Sequence, residues 1–252
     1  MHPSADDMSS TASSGAGEPT PGQQAADPWT APPAFRRYLG DPGAQVHLHE
    51  AGTSEGAPVV LLHRDGGTGE AWADLMGLGS WSARLLAPDL PGCGLSDAVE
   101  GGVEERASHL LDALRRSEPR GLLLVAEGDA ACLAVEMALT EPGAVAGLVL
   151  LGPVEQTACD VLERLRQVTV PVWAAVGERP DHSVELPGAR WLVLPGVGDE
   201  PVTEHADLVL DLVHGALAEL VHPVPEQAEP QAGRRYITWV SSEAWVNPSL
   251  SR

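Results

Sequence analysis

The chain has 252 residues, of which 43% are apolar, and this length and composition suit one sizeable α/β domain with tails. Its 36 acidic residues outnumber its 15 basic ones and give a formal net charge of −21. This balance argues against partners that need a cationic surface, namely nucleic acids and anionic membranes. Every basic residue other than histidine is arginine, so chemistry through a Schiff-base lysine is excluded.

The cysteines and the apolar runs indicate the cellular compartment and the cofactors to expect. Cys93, Cys132 and Cys159 are an odd number at wide spacing, which predicts neither a disulfide framework nor a zinc site. The acidic start of the chain lacks the apolar run of a secretory signal, and no apolar stretch is long enough to span a bilayer. We therefore expect a cytoplasmic protein that needs no metal and no other cofactor.

Three regions differ in composition. Residues 1–33 are rich in Ser, Gly, Pro, Ala and acid, bury too little apolar surface to fold, and are predicted to be disordered. Residues 34–221 have the periodic apolar pattern of a folded domain. Residues 222–252 form a tail that carries Tyr236, Trp239 and Trp245, and these aromatic side chains predict packing onto a groove, a lid, or a contact with a partner protein.

The domain begins with two predicted strands, FRRYL at 35–39 and AQVHLHEAG at 44–52. In the second strand Val46 and Leu48 alternate with His47 and His49. Strict alternation is typical of a half-buried strand, so both histidines are predicted to lie on its outward face.

Apolar runs and amphipathic segments then alternate as far as residue 221. The runs predicted to form strands are 58–62, 84–87, 122–125, 145–151, 170–176 and 191–194. The segments predicted to form helices are 70–78, 104–117, 132–140, 161–167 and 204–221. Continuous apolar runs are typical of parallel strands that are covered on both faces. The alternation therefore predicts an α/β fold with a doubly wound, mainly parallel sheet.

The stretch at 122–138 reads as an apolar strand, a tight turn and a helix. The turn is AEGDA at 126–130, with Gly128 at its centre. Further motifs lie around it in a fixed order. They are Leu61-Leu62-His63 followed by Trp72, APDLPGCGLSD at 87–97, VPVWAAVGE at 170–178, and LPGVG at 194–198 followed by Pro201 and Glu204.

In this order the motifs resemble those of the α/β-hydrolase superfamily across roughly residues 35–221. The resemblance implies a nucleophile at the centre of the turn, the nucleophile elbow of that family. Gly128 occupies that position, Asp199 falls at the histidine position, and Pro180, next to Asp181, falls at the acid position. Arg64 replaces the glycine of the family's His-Gly loop. The resemblance thus implies the fold without the serine-hydrolase triad.

Two departures leave alternatives open. A register shifted by one residue makes Asp129 the nucleophile, as in dehalogenases and epoxide hydrolases, but it puts Glu127 where a small residue must fit. The family's cap domain, commonly inserted after the strand at 145–151, is predicted to be absent or minimal, since residues 152–169 leave room for one helix. The aromatic tail is then the candidate cover.

If this fold is right, the strand ends bring several charged residues to one pocket. The candidate acid/base residues are Asp199, Glu127 and Asp129, since crowded carboxylates suit proton transfer. The residues predicted to line the pocket beside them are His63, Arg64, Asp65, Gly128 and Glu200. For Arg64, a structural ion pair with Asp65, Glu127 or Asp199 is favoured over a substrate clamp.

Three functions remain. The first is a non-hydrolytic pseudoenzyme that binds a small-molecule ligand or a protein partner. The second is an enzyme that uses carboxylate acid/base chemistry for the cyclisation, dehydration or isomerisation of a small molecule, in specialised metabolism for example. The third is a hydrolase with relocated catalytic residues. The substrate and the oligomeric state are left open.

Overall fold

A computed structural model describes residues 35–79, 83–152, 161–176, 189–193, 201–221 and 236–238. The predicted disordered segment at 1–33 lies outside the described residues, as does most of the tail. The strands are β1 Phe35–Leu39, β2 Val46–Gly52, β3 Ala57–Leu62, β4 Ala83–Pro88, β5 Leu122–Glu127, β6 Val145–Leu151, β7 Val172–Val176, β8 Ala189–Val193 and β9 Tyr236–Thr238. The helices are α1 Ala73–Gly79, α2 Val103–Ser117, α3 Ala130–Thr140, α4 Val161–Leu165, α5 Pro201–Glu204 and α6 Ala206–Val221. A 3-10 turn, Gly69–Trp72, precedes α1.

The strands form one sheet in the order β1-β2-β4-β3-β5-β6-β7-β8-β9. β2 is antiparallel to both β1 and β4, and every other pairing is parallel. The prediction of a doubly wound, mainly parallel sheet is confirmed. Each strand and helix predicted between residues 35 and 221 is present, with boundaries that differ by a few residues.

The core lies on both faces of the sheet, and β5 shows why the strands read as continuous apolar runs. Leu122 and Leu124 pack on one face with residues of α2 and α3, whereas Leu123 and Val125 pack on the other with residues of α1 and α6. A strand covered on both faces has no side that can be polar. This central position places the turn after β5 at the middle of the carboxyl edge of the sheet.

Between β6 and β7 the described residues contain a single short helix, α4. This agrees with the expectation that no large cap follows β6, as far as the described residues extend. Residues 153–160, which complete this connection, lie outside them.

The strand β9 was not predicted. Its backbone pairs in parallel with β8, so that Tyr236 lies opposite Trp191 and Thr238 opposite Val193. Tyr236 therefore belongs to the edge of the sheet and not to a segment across the strand ends. Trp239 and Trp245 lie outside the described residues, and for them a lid stays a prediction.

The prediction that His47 and His49 face outward is wrong. His47 is 3% exposed and His49 is 9% exposed, so both are buried. The cause is the loop after β4, which returns to β2: Asp89 Oδ2 lies 3.0 Å from His47 Nδ1, and Ser96 Oγ accepts a hydrogen bond from the His47 amide. Alternation in the sequence identified the face correctly but could not reveal that a loop covers it.

An ionic cluster joins the strands to the end of α2. Arg84 lies between Glu50 and Glu118, at 2.7 and 2.9 Å, and Arg120 binds Glu118 at 2.7 Å. The side chain of Glu118 is only 1% exposed. Hydrogen bonds from Arg120, aided by Arg84, outweigh the cost of burial and lower the pKa of Glu118 to about 2.

We expect Glu118→Gln to lower the free energy of unfolding by about 2 kcal/mol at neutral pH, because two guanidinium groups lose their shared carboxylate. Since folding lowers this pKa, the stabilisation is complete above the ordinary value of 4.5 and disappears as the pH falls toward about 2. Urea unfolding of the wild type and of Glu118→Gln should therefore show that the difference in their free energies of unfolding becomes smaller as the pH falls from 4.5 toward about 2. The exposed Glu104, changed to Gln, is the control and should cost less than about 0.5 kcal/mol. A difference that does not vary with pH would contradict the assigned pKa.

Candidate functional site

The loop after β3 contains His63, which is fully buried. Its Nδ1 lies 2.7 Å from the carbonyl oxygen of Arg64, and its Nε2 lies 2.9 Å from the amide nitrogen of Leu90. These contacts require a neutral ring that donates from Nδ1 and accepts at Nε2. Burial lowers the pKa of His63, which favours that neutral form. His63 therefore joins the loops after β3 and β4, and the prediction that it lines the pocket is not what the structure shows.

The loop after β4 is held by the carboxylate of Asp89. Oδ1 accepts a hydrogen bond from the Gly69 amide at 2.7 Å, and Oδ2 accepts one from the Leu95 amide at 2.8 Å. Burial alone would raise the pKa of Asp89, but these amides and His47 outweigh it and hold the pKa below its usual value. Gly94 has φ +52°, and a Cβ there would meet Oδ2 of Asp89 at 2.2 Å, so only glycine fits.

The turn between β5 and α3 has its left-handed residue at Gly128, with φ +58°. The Gly128 amide donates to the Leu151 carbonyl at 2.9 Å, which fixes the turn against β6. Asp129 has ordinary right-handed helical angles, φ −67° and ψ −17°. Because the strained position of an elbow is that of the nucleophile, this backbone supports the register with Gly128 at that position over the one with Asp129 there.

Arg64 lies directly over Gly128. A Cβ built on Gly128 would be 3.3 Å from Arg64 Nε and 3.6 Å from Arg64 Cγ. The arginine thus lies in close contact with the position that a side chain at residue 128 would occupy. Gly128 and Arg64, two of the positions at which the sequence differs from the motifs it resembles, are therefore neighbours in space.

Asp65 and Asp129 meet at the rim of the turn. The Asp65 amide donates to Asp129 Oδ1 at 2.9 Å, while the side chain of Asp65 is 64% exposed. Arg106 Nη2, from the first turns of α2, lies 3.6 Å from Asp65 Oδ1. Two carboxylates and one guanidinium therefore face the same space.

That space is a cavity of about 230 Å³. Its lining residues are Asp65, Leu90, Val103, Arg106, Asp129, Ala130, Cys132 and Leu133. The aspartates and the arginine supply hydrogen-bond acceptors and donors, and the leucines and the valine supply an apolar wall. Such a mixed lining is typical of small-molecule sites.

The predicted site is only partly assembled in the described residues. Asp65 and Asp129 line the cavity, and Arg64 and Gly128 lie beside each other in the adjacent turn. Glu127, the last residue of β5, is 5% exposed and is not among the residues that line the cavity. Asp199 and Glu200 lie outside the described residues, so their part in the site stays a prediction.

Six of the eight residues that line the cavity were not predicted from the sequence, and Arg106 and Cys132 are the two of them with chemically functional side chains. Arg106 follows the acidic first turn of α2, where a charged residue is typical of a solvated helix face, so its local sequence did not indicate the cavity. Cys132 is disulfide-bonded, whereas the cysteine spacing predicted no disulfide framework. Cysteine spacing along the chain does not reveal which side chains meet in the fold.

Among the described residues, no helix has the length and apolar character needed to cross a membrane.

Comparison with known proteins identifies the fold. No family model matches the chain. A 2-hydroxy-6-oxo-2,4-heptadienoate hydrolase from Pseudomonas putida is 35% identical over 118 residues. That match spans 44% of this chain and 42% of the hydrolase, which is less than half of either protein.

Solved structures resemble a larger part of the chain. An esterase from Rhodococcus sp. has a TM-score of 0.61 and 18% identity, covering 74% of this chain and 99% of its own. The thioesterase domain from the curacin biosynthetic pathway has a TM-score of 0.60 and 16% identity, covering 72% of this chain and 99% of its own. The N-acyl homoserine lactonase AidH has a TM-score of 0.64 and 14% identity, covering 75% of this chain and 98% of its own. The chain therefore has the α/β-hydrolase fold, and likeness at these identities extends to the fold alone.

We expect Gly128→Ala to lower the free energy of unfolding by about 2 kcal/mol, from left-handed backbone strain of about 1 kcal/mol and crowding against Arg64. Gly66→Ala is the matched control, because Gly66 has φ +75° with no atom within 4 Å of its Cβ position. It should cost only the backbone strain. In the double variant with Arg64→Ala, the part of the Gly128→Ala cost that comes from crowding should disappear, as measured by chemical denaturation. Equal costs for the two glycines would contradict the contact with Arg64.

Proposed function

We propose that this α/β-hydrolase-fold protein is a non-hydrolytic, ligand-binding pseudoenzyme whose small molecule binds in the cavity beside the elbow. The observation that carries the proposal is the pair formed by Gly128 and Arg64. Glycine has no side chain that could attack a carbonyl, and the side chain of Arg64 lies against the position that a Cβ there would take. Nucleophilic catalysis in this fold requires a side chain at that point.

The lining of the cavity supports a small, amphipathic ligand. Its volume of about 230 Å³ lies below the roughly 300–1,000 Å³ of sites for drug-sized molecules. Asp65 and Asp129 accept hydrogen bonds and Arg106 donates them, so a head group with both a donor and an acceptor suits one wall. An amide or a hydroxy-carbonyl group has this character. Leu90, Val103 and Leu133 suit a short apolar part.

The hydrolase-named relatives are compatible with this ligand class. The substrate named for the Pseudomonas enzyme carries hydroxy and oxo groups, and that of the lactonase carries an acyl amide. For the present chain, we propose a ligand of the same chemical kind as these substrates, but we do not propose that the chain hydrolyses it.

We expect a fluorophosphonate probe of serine hydrolases to leave this protein unlabelled, because the elbow offers no nucleophile. An active serine hydrolase in the same reaction, read by in-gel fluorescence, shows that the probe is competent. Labelling of the intact protein at any serine, located by mass spectrometry and lost on denaturation, would overturn the non-hydrolytic proposal and favour a hydrolase with relocated residues.

Ligand binding is tested separately with a thermal-shift panel of small amides, lactones and hydroxy-ketones. We expect members of the panel to raise the melting temperature of the wild type, and Arg106→Met to weaken their binding about tenfold or more because a charged donor is lost. Arg116→Met, on the exposed side of the same helix, is the matched control and should bind like the wild type. No binding by the wild type, or equal binding by Arg106→Met, would contradict the proposed site.

A second candidate function, non-hydrolytic acid/base catalysis, is favoured by the two carboxylates that face the same cavity. Asp129 is the candidate proton-transfer group, since it lines the cavity and accepts the Asp65 amide only through Oδ1. Asp129→Asn keeps an oxygen for that amide and removes the base. If a panel ligand is cyclised, dehydrated or isomerised, as followed by NMR, this variant should still bind it but convert it at least about 100-fold more slowly. Retained turnover would exclude Asp129 from this role.

A further inference from the structure

A second cluster of chemically capable side chains lies away from the cavity, on the side of the sheet where β2 pairs with β4. His47 and His49 lie two residues apart on β2, so both project from the same face of the strand. Asp89 follows β4 directly, and its amide donates to the His47 carbonyl at 2.9 Å, which continues the ladder between the strands. All three residues are buried.

The distances among these side chains suit a shared ion. One potential ligand atom from each residue lies within 4.8 Å of the other two. His47 Nδ1 is 3.0 Å from Asp89 Oδ2, and His49 Nε2 is 3.9 Å from Asp89 Oδ1. The second distance is too long for a hydrogen bond. Two ligands that each lie about 2.0–2.2 Å from one tetrahedral ion are about 3.3–3.6 Å apart, and the two observed distances lie on either side of this separation.

Backbone groups around the cluster hold one of its members in place. The amides of Gly69 and Leu95 orient the Asp89 carboxylate.

We propose that His47, His49 and Asp89 form a binding site for a divalent transition-metal ion of the Zn²⁺ type. Two imidazole nitrogens and one carboxylate favour such an ion over Mg²⁺ or Ca²⁺, which prefer oxygen ligands. When the ion binds at His47 Nδ1, the ring carries its proton on Nε2, and the metal replaces the contact between Nδ1 and Asp89 Oδ2. It links β2 to the loop after β4, and its effect is to stabilise that loop. The site is independent of the proposed ligand cavity and of the proposed function.

The test uses the full chain after treatment with a chelator and its removal. Titration with Co²⁺, followed by visible absorption, should give one equivalent of a low-symmetry site, and Zn²⁺ should displace it and raise the melting temperature. X-ray absorption of the Zn²⁺-loaded wild type should show two imidazole ligands. This measurement needs no variant, so it is unaffected by any folding defect of one.

Substitution then locates the site. His49→Leu removes one ligand without removing a hydrogen bond of Asp89, and it should lose both the absorption and the thermal shift. His205→Gln is the matched control outside the cluster and should bind like the wild type. The proposal is overturned if the wild type binds less than one equivalent of Co²⁺, or if its X-ray absorption spectrum with Zn²⁺ shows fewer than two imidazole ligands. It is also overturned if His49→Leu binds Zn²⁺ as tightly as the wild type.

Discussion

The buried carboxylate of Asp89 is the interaction on which this end of the molecule depends. It accepts hydrogen bonds from the Gly69 amide before α1 and the Leu95 amide in its own loop, and it lies within hydrogen-bond distance of His47 on β2. Three segments that are distant in sequence therefore share one anion. A buried anion is tolerated only when its lone pairs are satisfied, so these segments must stay together for the fold to remain stable. The next residue, Leu90, is thereby placed to donate to His63 and to form part of the cavity wall.

The elbow follows a second constraint, which is steric. At Gly128 the chain reverses in a left-handed conformation that glycine adopts without strain, and the space above it contains Arg64. An arginine in the loop after β3 and a side chain at position 128 compete for the same volume. Gly128 and Arg64 are therefore sterically coupled, because a larger residue at position 128 requires the arginine to move.

Much of the fold could be predicted from the sequence because it depends on local patterns. The apolar runs of β3, β5 and β6, the amphipathic spacing of α2 and the small residues of the turn at 126–130 each have a distinct periodicity or composition. The candidate site was harder to predict. Asp65, Gly128 and Asp129 follow strands whose carboxyl ends must meet, so topology alone brought them together. The burial of His47, the role of His63 as a link between loops and the position of Arg106 depend on which loops and helices cover which faces, and no single segment carries that information.

The place of β9 gives the C-terminal region a different significance from that of a cover. A strand at the edge of a sheet presents unpaired amide and carbonyl groups, and these invite pairing with another chain. By lying beside β8, residues 236–238 occupy its outer edge. A chain shortened before residue 236 would expose that edge, and self-association would then be the first property to change. A deletion intended to remove a lid would, in this protein, also remove its protection against edge-to-edge aggregation.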